Sequence, residues 1–338
     1  MRRNKVLGTL YGAAYGDSLG AITEFRSRRD IAQAFPGGYR TYAPSISFIT
    51  SEITPGCVTD DFGSSCYFMQ KILRHEGDFD RGIAVEAVLE WSNDPIVFAK
   101  YAGRNTKSAM ERLKEGTVID EEARKRHFGQ ANTNGAAMKV SPIGLLARGD
   151  QELAVQYALD LAYPTHYNSA AASAAAAIAC AIAAAQGEDA TLDGIFSAAV
   201  EGCRKARLQV EEEGCAAFGP FTEEHIKWAI QMGQACESTD ALLNVLEGQI
   251  GTGISVQESI PAVFAIIAGT KGDFHKALFC ASNAGGDTDT ISSMTGAILG
   301  GLHGVEVLRE EDIRRIQEVN AFLCLQETVE AFADLICN

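Results

Sequence analysis

The sequence predicts an all-α fold in a single domain over residues 1–338. Apolar residues recur at helical spacing along most of the chain, and the alternation typical of strands is nearly absent. Short connections separate the helical patterns, and no stretch has the composition of a linker, which favours one multi-helix globule. The helical patterns cover 5–24, 59–76, 82–93, 95–114, 135–148, 151–162, 167–187, 192–209, 222–235, 238–249, 256–270, 273–284, 287–303 and 309–335.

Composition excludes two classes of partner. The formal net charge is −15 and the Lys and Arg residues are dispersed among acids, so we expect neither nucleic acid nor anionic membrane to bind. The nine cysteines lack CxxC spacing, which indicates small core residues of a reducing compartment and no zinc site. The basic start of the chain leads into glycines and an aspartate instead of an apolar signal core. We therefore expect a cytoplasmic protein, either a monomer or a weak homo-oligomer.

The first helical pattern, 5–24, carries a glycine at every fourth position from 8 to 20. This spacing gives one smooth face that a second helix can approach closely. Asp17 interrupts the apolar run, which argues against a membrane span. Asp17 and Glu24 are seven residues apart, so on a continuous helix they would point to the same side. They belong either to a solvated surface or to the wall of an active site, and the glycine face favours the wall.

Two short clusters of oxygen-bearing side chains begin helical patterns at opposite ends of the chain. Residues 26–58 are rich in turn residues and predict a long loop leading to the first cluster, 59–61 (Thr-Asp-Asp). The second cluster, 287–290 (Asp-Thr-Asp-Thr), follows the glycine pair 285–286, where the backbone can turn sharply. The four carboxylates of the clusters belong to Asp60, Asp61, Asp287 and Asp289.

Carboxylate and hydroxyl oxygens suit Mg²⁺, Ca²⁺ or Mn²⁺ better than zinc. For the second cluster alone, an equally good interpretation is that Asp287 or Thr288 caps the helix that follows. The first cluster favours the metal, because four carboxylates in one cleft repel one another unless cations lie between them. Together the clusters offer enough oxygens for two metal ions.

Other polar segments also stand before helical patterns. Residues 132–139 and 251–253 could bind an anion through backbone N–H groups, but neither matches a Walker or dinucleotide-binding motif. The alanine-rich pattern 169–185 predicts the buried centre of the bundle. His166 lies just before it, and either faces the cleft of the acids or belongs to an ordinary helix cap.

Taken in order, these motifs resemble the ADP-ribosylglycohydrolase family. No single motif is specific, but the ordered set from residue 5 to about 304 is. The matching segments are Gly12-Ala13-Ala14-Tyr15-Gly16-Asp17-Ser18-Leu19-Gly20 with Glu24, Thr59-Asp60-Asp61, Asn134-Gly135-Ala136-Ala137-Met138, Thr165-His166, Gly251-Thr252-Gly253 and Gly285-Gly286-Asp287-Thr288-Asp289-Thr290.

The resemblance implies a hydrolase with two Mg²⁺ ions, or Mn²⁺, that cleaves a glycosidic bond at the ribose of an ADP-ribosyl substrate. Its partner would be ADP-ribose, an ADP-ribosylated protein or a small ribosyl compound. Glu24 and Asp61 would act in catalysis. The implied metal ligands are Thr59, Asp60, Asp61, Asp287, Asp289 and Thr290. The implied substrate-binding residues are Asp17, Asn134, Gly135, Ala136, Met138, His166, Gly251 and Gly253.

Four positions depart from the family's pattern. Phe62 replaces a small hydroxyl residue, Thr133 a glycine, Lys139 an arginine, and Ala102 an acid found in some members. Because the implied metal ligands are intact, these departures concern the group attached to the ribose: an acid has been lost and an aromatic ring gained. Asp94 could supply the missing acid, although an ordinary loop aspartate is the simpler interpretation. Two alternatives stay open, namely cleavage of a smaller nucleoside-like metabolite and a catalytically silent, crystallin-like relative.

Overall fold

The computed structural model describes residues 3–115 and 132–338, and its regular structure is helical. These residues contain no strand, only an isolated β-bridge between Thr133 and Ser255, so the predicted all-α fold is confirmed. The helices are α1 Arg3–Gly20, α2 Arg28–Ala34, α3 Asp60–Arg74, α4 Arg81–Trp91, α5 Val97–Tyr101, α6 Arg104–Lys114, α7 Ser141–Leu146, α8 Gln151–Ala162, α9 Ser169–Ala185, α10 Leu192–Glu212, α11 Thr222–Gln234, α12 Thr239–Val245, α13 Val256–Gly269, α14 Phe274–Asn283, α15 Thr288–His303, α16 Glu310–Val319 and α17 Leu325–Cys337. Short 3₁₀ or π turns lie at Ala137–Lys139, Leu246–Ile250, Val305–Val307 and Ala321–Leu323.

The alanine-rich helix α9 lies in the core. Every residue of α9 except Ala184 is buried, as the sequence predicts. Asn168 caps the helix, because its side-chain oxygen accepts the backbone N–H groups of Ala170 and Ala171 at 3.0 and 2.9 Å. Small side chains on every face let α8 and α10 pack closely against it. No helix in the described part of the chain is long and apolar enough to cross a membrane.

The glycine face of α1 packs against α15. A Cβ atom at any of the four glycines would overlap the backbone of α15, so no other residue fits there without movement of a helix. The predicted close approach of a second helix is therefore confirmed. The facing pairs are Gly8 with Gly300, Gly12 with Gly296, Gly16 with Ser292, and Gly20 with Thr288.

This packing places the end of α1 beside the start of α15. The Thr288 hydroxyl donates to the Gly20 carbonyl at 2.9 Å, and Thr23 donates to the Thr288 hydroxyl at 3.1 Å. The helix α1 ends at Gly20, where the chain tightens into a turn that contains Glu24. The expectation that Asp17 and Glu24 share one face of a continuous helix is therefore wrong, because three residues of turn lie between the helix end and Glu24.

Two other predicted boundaries differ. Segment 26–58 is not all loop, because Ser27 and Asp30 form a capping box that begins α2: each side chain accepts the backbone N–H of the other. The predicted helix 95–114 divides into α5 and α6, since Ala102 adopts an extended conformation between them. This break turns the start of α6 toward the cavity described next.

Candidate active site

A cavity of about 450 Å³ opens where the turn after α1 meets the N-terminal ends of α3, α6 and α15. Five carboxylates line it, drawn from both acidic clusters and from the turn: Glu24, Asp60, Asp61, Asp287 and Asp289. Thr290 also lines the cavity, and its hydroxyl donates to Asp61 at 3.1 Å, which links the clusters directly. The structure thus brings together acids that lie more than two hundred residues apart in sequence.

Asp17 holds the start of α3. Its carboxylate accepts the backbone N–H groups of Thr59 and Phe62 at 3.0 and 2.9 Å, and the Thr59 hydroxyl at 2.9 Å. These are amide donors that have no partner within a helix. Burial raises the pKa of Asp17 to about 6 in spite of these bonds. Neither Asp17 nor Thr59 is among the residues that line the cavity; the pair instead orients α3, whose first two residues, Asp60 and Asp61, do line it.

The second cluster follows a turn that requires two glycines. Gly285 and Gly286 have φ values of +79° and +76°, which glycine adopts without steric cost. A Cβ at Gly285 would lie 2.8 Å from the Arg26 carbonyl oxygen, and one at Gly286 would overlap the Thr252 carbonyl. The Asp287 N–H donates to that Thr252 carbonyl at 2.7 Å. The turn is therefore pinned on both sides before α15 begins.

Asn134 orients Asp287. Its side-chain amide donates to the Asp287 carboxylate at 2.6 Å and also contacts the Ser259 hydroxyl at 3.1 Å. Both Asn134 and Asp287 line the cavity. The amide therefore fixes the orientation of this carboxylate at the cavity wall.

The acids are crowded and lack counter-charges. Within residues 3–115 and 132–338, none of the five forms a salt bridge, and three oxygens have neither solvent contact nor a hydrogen-bond partner: Glu24 Oε2, Asp61 Oδ2 and Asp289 Oδ1. Burial and then the neighbouring carboxylates raise the pKa of Glu24 to about 9 and that of Asp60 to about 7. The same causes hold the pKa values of Asp61 and Asp289 well above their ordinary range.

This donor set fits hard divalent cations. Carboxylate oxygens of Asp17, Asp61 and Asp289 lie within 4.8 Å of one another, and so do those of Glu24, Asp287 and Asp289. All the donors are oxygens, several are unpartnered, and their mutual repulsion would be relieved by a bound Mg²⁺ or Mn²⁺. Asp289 belongs to both groups and would lie between two ions.

One buried cation, Lys139, stands behind the acids. Its ammonium group donates to the Gly135 carbonyl and lies 5.5 Å from the centre of the Trp91 ring. Burial lowers the pKa of Lys139 to about 8, while Asp60 and Asp61 oppose that shift. Lys139 therefore contributes a positive potential at a distance and makes no direct salt bridge to the cluster.

The predicted substrate-binding residues divide into two groups. Asn134, Gly135, Met138 and His166 line the cavity. Ala136 is fully buried beneath the wall, and Gly251 and Gly253 lie outside it. The two glycines instead leave room for Glu258, whose carboxylate accepts the Gly253 N–H at 2.9 Å. Their segment supports the second cluster through the Thr252 carbonyl.

His166 faces the cleft. Its ring nitrogens contact the hydroxyls of Thr165 at 2.9 Å and Thr133 at 3.1 Å. Burial and then Lys139 lower the pKa of His166 to about 3, so the ring is neutral at physiological pH and serves as a hydrogen-bonding group. A Cβ at Gly135 would lie 2.6 Å from the ring, which explains the glycine there.

A family model described as ADP-ribosylglycohydrolase matches residues 1–338. The chain belongs to the ADP-ribosylglycohydrolase family. It is 28% identical to the uncharacterized protein YegU of Escherichia coli K12, over 91% of this chain and 90% of that one. It is 26% identical to the ADP-ribosylhydrolase ARH3 of Bos taurus, over 90% and 86% of the two chains. A solved structure titled "ADP-ribosylglycohydrolase-related protein complex" shares the fold, with a TM-score of 0.66, 21% identity and coverage of 99% and 98%.

Against the pattern of the ADP-ribosylglycohydrolases, the four departures have different positions. Phe62 is fully buried and does not line the cavity, so the idea that its ring adds to the leaving-group side is wrong. Ala102 is also buried. Thr133 lines the cavity and receives a hydrogen bond from Asn105 at 3.2 Å. Asp94 caps α5 by accepting two backbone N–H groups and bonds the Tyr67 hydroxyl, so it is an ordinary structural aspartate.

Several residues of this ADP-ribosylglycohydrolase cavity were not predicted from the sequence. They lie on the turn after α1, at the break between α5 and α6, and just before α13: Phe25, Tyr101, Gly103, Arg104, Asn105, Thr106 and Ile254. One feature of the sequence indicated Asn105 and Thr106 as site residues, because they lie close to Ala102, a departure from the family pattern. The helix break that exposes them is set by packing and leaves no distinct motif.

Proposed function

We propose that this chain is a magnesium-dependent hydrolase, with Mn²⁺ as an alternative ion, that cleaves a glycosidic bond at the ribose of an ADP-ribosyl substrate. The observation that carries the proposal is the set of five carboxylates around one cavity, of which three have an unpartnered buried oxygen and none has a salt bridge in the described ranges. Membership of the family and the similarity to ADP-ribosylhydrolases named ARH3 support it.

The ions would be held by residues that line the cavity: Asp60, Asp61, Asp287, Asp289 and Thr290. When bound, they supply positive charge that holds sugar hydroxyls and lowers the pKa of water. The donors lie at the starts of two helices, Asp60 and Asp61 at α3, and Asp287, Asp289 and Thr290 at α15. Two of the donors are already oriented by a neighbour, Asp287 by Asn134 and Asp61 by Thr290, so their loss should be costly for metal affinity.

Glu24 is the residue we assign to proton transfer. It lies on a turn rather than a helix, and one of its oxygens has no partner. Without metal, burial raises the pKa of Glu24 to about 9, and bound cations would lower it from that value. A carboxyl placed in this way can exchange a proton with the substrate or with water. Hydrolysis forms a bond from the water oxygen to the anomeric carbon and breaks the bond to the leaving group, which takes up a proton. The carboxylates around the ribose would stabilise the oxocarbenium-like transition state.

The rim of the cavity indicates which leaving group is disfavoured. Position 102 carries no acid, and Arg104 lines the cavity with an exposed cation that has no salt bridge among the described residues. An acid at position 102 would favour a guanidinium leaving group by charge pairing. In this chain a guanidinium leaving group would instead approach the Arg104 cation, with no acid at position 102 to pair with it. We therefore expect faster release from serine-linked or small O-linked ADP-ribosyl substrates than from arginine-linked ones.

The test is a release assay with arginine-linked, serine-linked and small O-linked ADP-ribosyl substrates under saturating Mg²⁺, with a chelated control. The expected result is metal-dependent release with the arginine linkage slowest. A clear preference for arginine would contradict the assignment of the rim. Calorimetry with ADP-ribose separates the other possibilities: a silent relative binds but releases nothing from any substrate, and an enzyme for smaller metabolites cleaves a nucleoside while ignoring the ADP moiety.

A further inference from the structure

The residue that follows Glu24 has an unusual backbone. Phe25 has φ of +52°, in the left-handed region that bulky residues avoid for steric reasons. Residues 21–25 form a turn, and the adjacent residues Glu24 and Phe25 at its end both line the cavity.

The strain is held by the turn of the second acidic cluster. The Phe25 N–H donates to the Gly286 carbonyl at 2.7 Å, and the Gly286 N–H donates to the Arg26 carbonyl at 3.0 Å. This pair of bonds joins the segment that carries the ring to the segment that carries Asp287. The position of the ring is therefore tied to the position of the acids.

Core packing does not explain the ring. Phe25 is 40% exposed, and its aromatic neighbour Phe48, at a centroid distance of 6.4 Å and an interplanar angle of 30°, is 66% exposed. A strained backbone persists where the surrounding structure enforces it, and such positions cluster at ligand sites. A half-exposed ring at a cavity mouth offers a flat apolar face to a ligand.

We propose that Phe25 is a specificity-determining residue whose ring stacks on a planar, uncharged leaving group of the substrate. The inference rests on the proposed function and deepens it by naming a preferred class among the small O-linked substrates: ADP-ribosyl compounds whose leaving group is aromatic. The ring would lie on the leaving-group side because Phe25 directly follows Glu24, the residue assigned above to proton transfer at the scissile bond, and both line the cavity. A phenyl ring alone would also accept a planar cation. Arg104, which lines the same cavity, disfavours such a cation by charge repulsion.

The experiment compares two substrates with the same ADP-ribosyl part. One carries a 4-nitrophenyl group and the other an acetyl group, and kcat/KM is measured for both with saturating Mg²⁺. Phe25→Leu should lower the ratio of aryl to acetyl kcat/KM by roughly three- to tenfold, the scale of one aromatic stacking contact. Phe25→Tyr should restore the ratio. Phe322→Leu is the matched control, because Phe322 is 43% exposed and lies outside the cavity.

Two further measurements separate stacking from a structural role. Phe25→Gly relieves the left-handed strain, so its melting temperature should not fall even though the aryl-to-acetyl ratio does. Calorimetry with ADP-ribose should give the same affinity for the parent and Phe25→Leu, since a ring that stacked on the adenine would weaken binding of ADP-ribose itself.

Three outcomes would overturn the inference and leave the proposed function standing: an unchanged ratio in Phe25→Leu, an equal fall for both substrates, or a loss of ADP-ribose affinity that matches the loss of kcat/KM. If the parent protein cleaves neither substrate with Mg²⁺ or Mn²⁺ while binding is intact, the proposed function fails and this inference fails with it.

Discussion

Without metal, the protein should become less stable as the pH rises from 5 to 7, and Glu24 should account for a measurable part of that loss. Burial and then Asp287 raise the pKa of Glu24 from its usual 4.5 to about 9. In this window the folded state keeps a proton that the unfolded state releases. The contribution of Glu24 to stability is therefore fully present below pH 4.5 and is lost as the pH rises toward 9.

The magnitude follows from the width of the window. One pKa unit corresponds to about 1.4 kcal/mol, so two units cost about 2.7 kcal/mol for a group that stays protonated only when folded. A chain of 338 residues has an unfolding entropy near 0.7 kcal/mol per degree, by the usual value per residue. The contribution of Glu24 to the fall in melting temperature between pH 5 and pH 7 is thus about 4 °C.

The assay is thermal unfolding in a chelator at both pH values for the parent, for Glu24→Gln and for the exposed-acid control Glu237→Gln. Between pH 5 and pH 7, the melting temperatures of the parent and of the control should fall by about 4 °C more than that of Glu24→Gln. Saturating Mg²⁺ at pH 7, at a hundred times its Kd, should add about 2.7 kcal/mol to the free energy of unfolding of the parent. The reasoning is refuted if the chelated parent is equally or more stable at pH 7, or if Glu24→Gln shows the full slope.

Three other changes test the site and its scaffold. Asp289→Asn should abolish the gain in melting temperature with Mg²⁺ by calorimetry or thermal shift, whereas the exposed Asp240→Asn should keep it; a full gain in Asp289→Asn would contradict its proposed role as a metal ligand. Glu24→Gln should lower turnover by roughly 10²- to 10⁴-fold while ADP-ribose still binds, and a variant that keeps its specific activity would remove Glu24 from catalysis. Gly12→Leu should lower stability by at least roughly 1–3 kcal/mol in denaturant unfolding, because its side chain would overlap α15, whereas Gly248→Ala, which has open space around it, should not; equal stabilities would refute the close packing.

The sequence was sufficient to predict most of the fold because its patterns are local. Helical periodicity along the chain, the glycine spacing of α1 and the alanine content of α9 each report directly on one face of one helix. The meeting of the acidic clusters could also be predicted, because their repulsion requires a common cation and their motif order resembles a known family. These predictions concern which residues share a site.

The roles of single side chains depended on features that spacing does not encode. Asp17 was predicted to bind substrate; in the structure its carboxylate holds the start of α3 and does not line the cavity. Phe62 was predicted to alter the leaving-group side, yet the residue falls on the buried face of α3. The aromatic ring that does line the cavity belongs to Phe25, whose positive φ could not be predicted from its residue type.

The precision of the site follows from how α1 packs against α15. At the interface of α1 and α15 the contacts are made by backbone atoms at glycines, so no flexible side chain can absorb a shift of one helix along the other. The same interface ends in the hydrogen bond from Thr288 to Gly20, one residue away from Asp289 and four residues away from Glu24. The separation between Glu24, the proposed proton-transfer residue, and Asp289, a proposed metal ligand, is therefore constrained by the backbone. A substitution in the glycine face should therefore reduce turnover as well as stability. The loss of turnover should be measurable at temperatures well below the melting temperature, because a small displacement of the reacting groups is costly to catalysis.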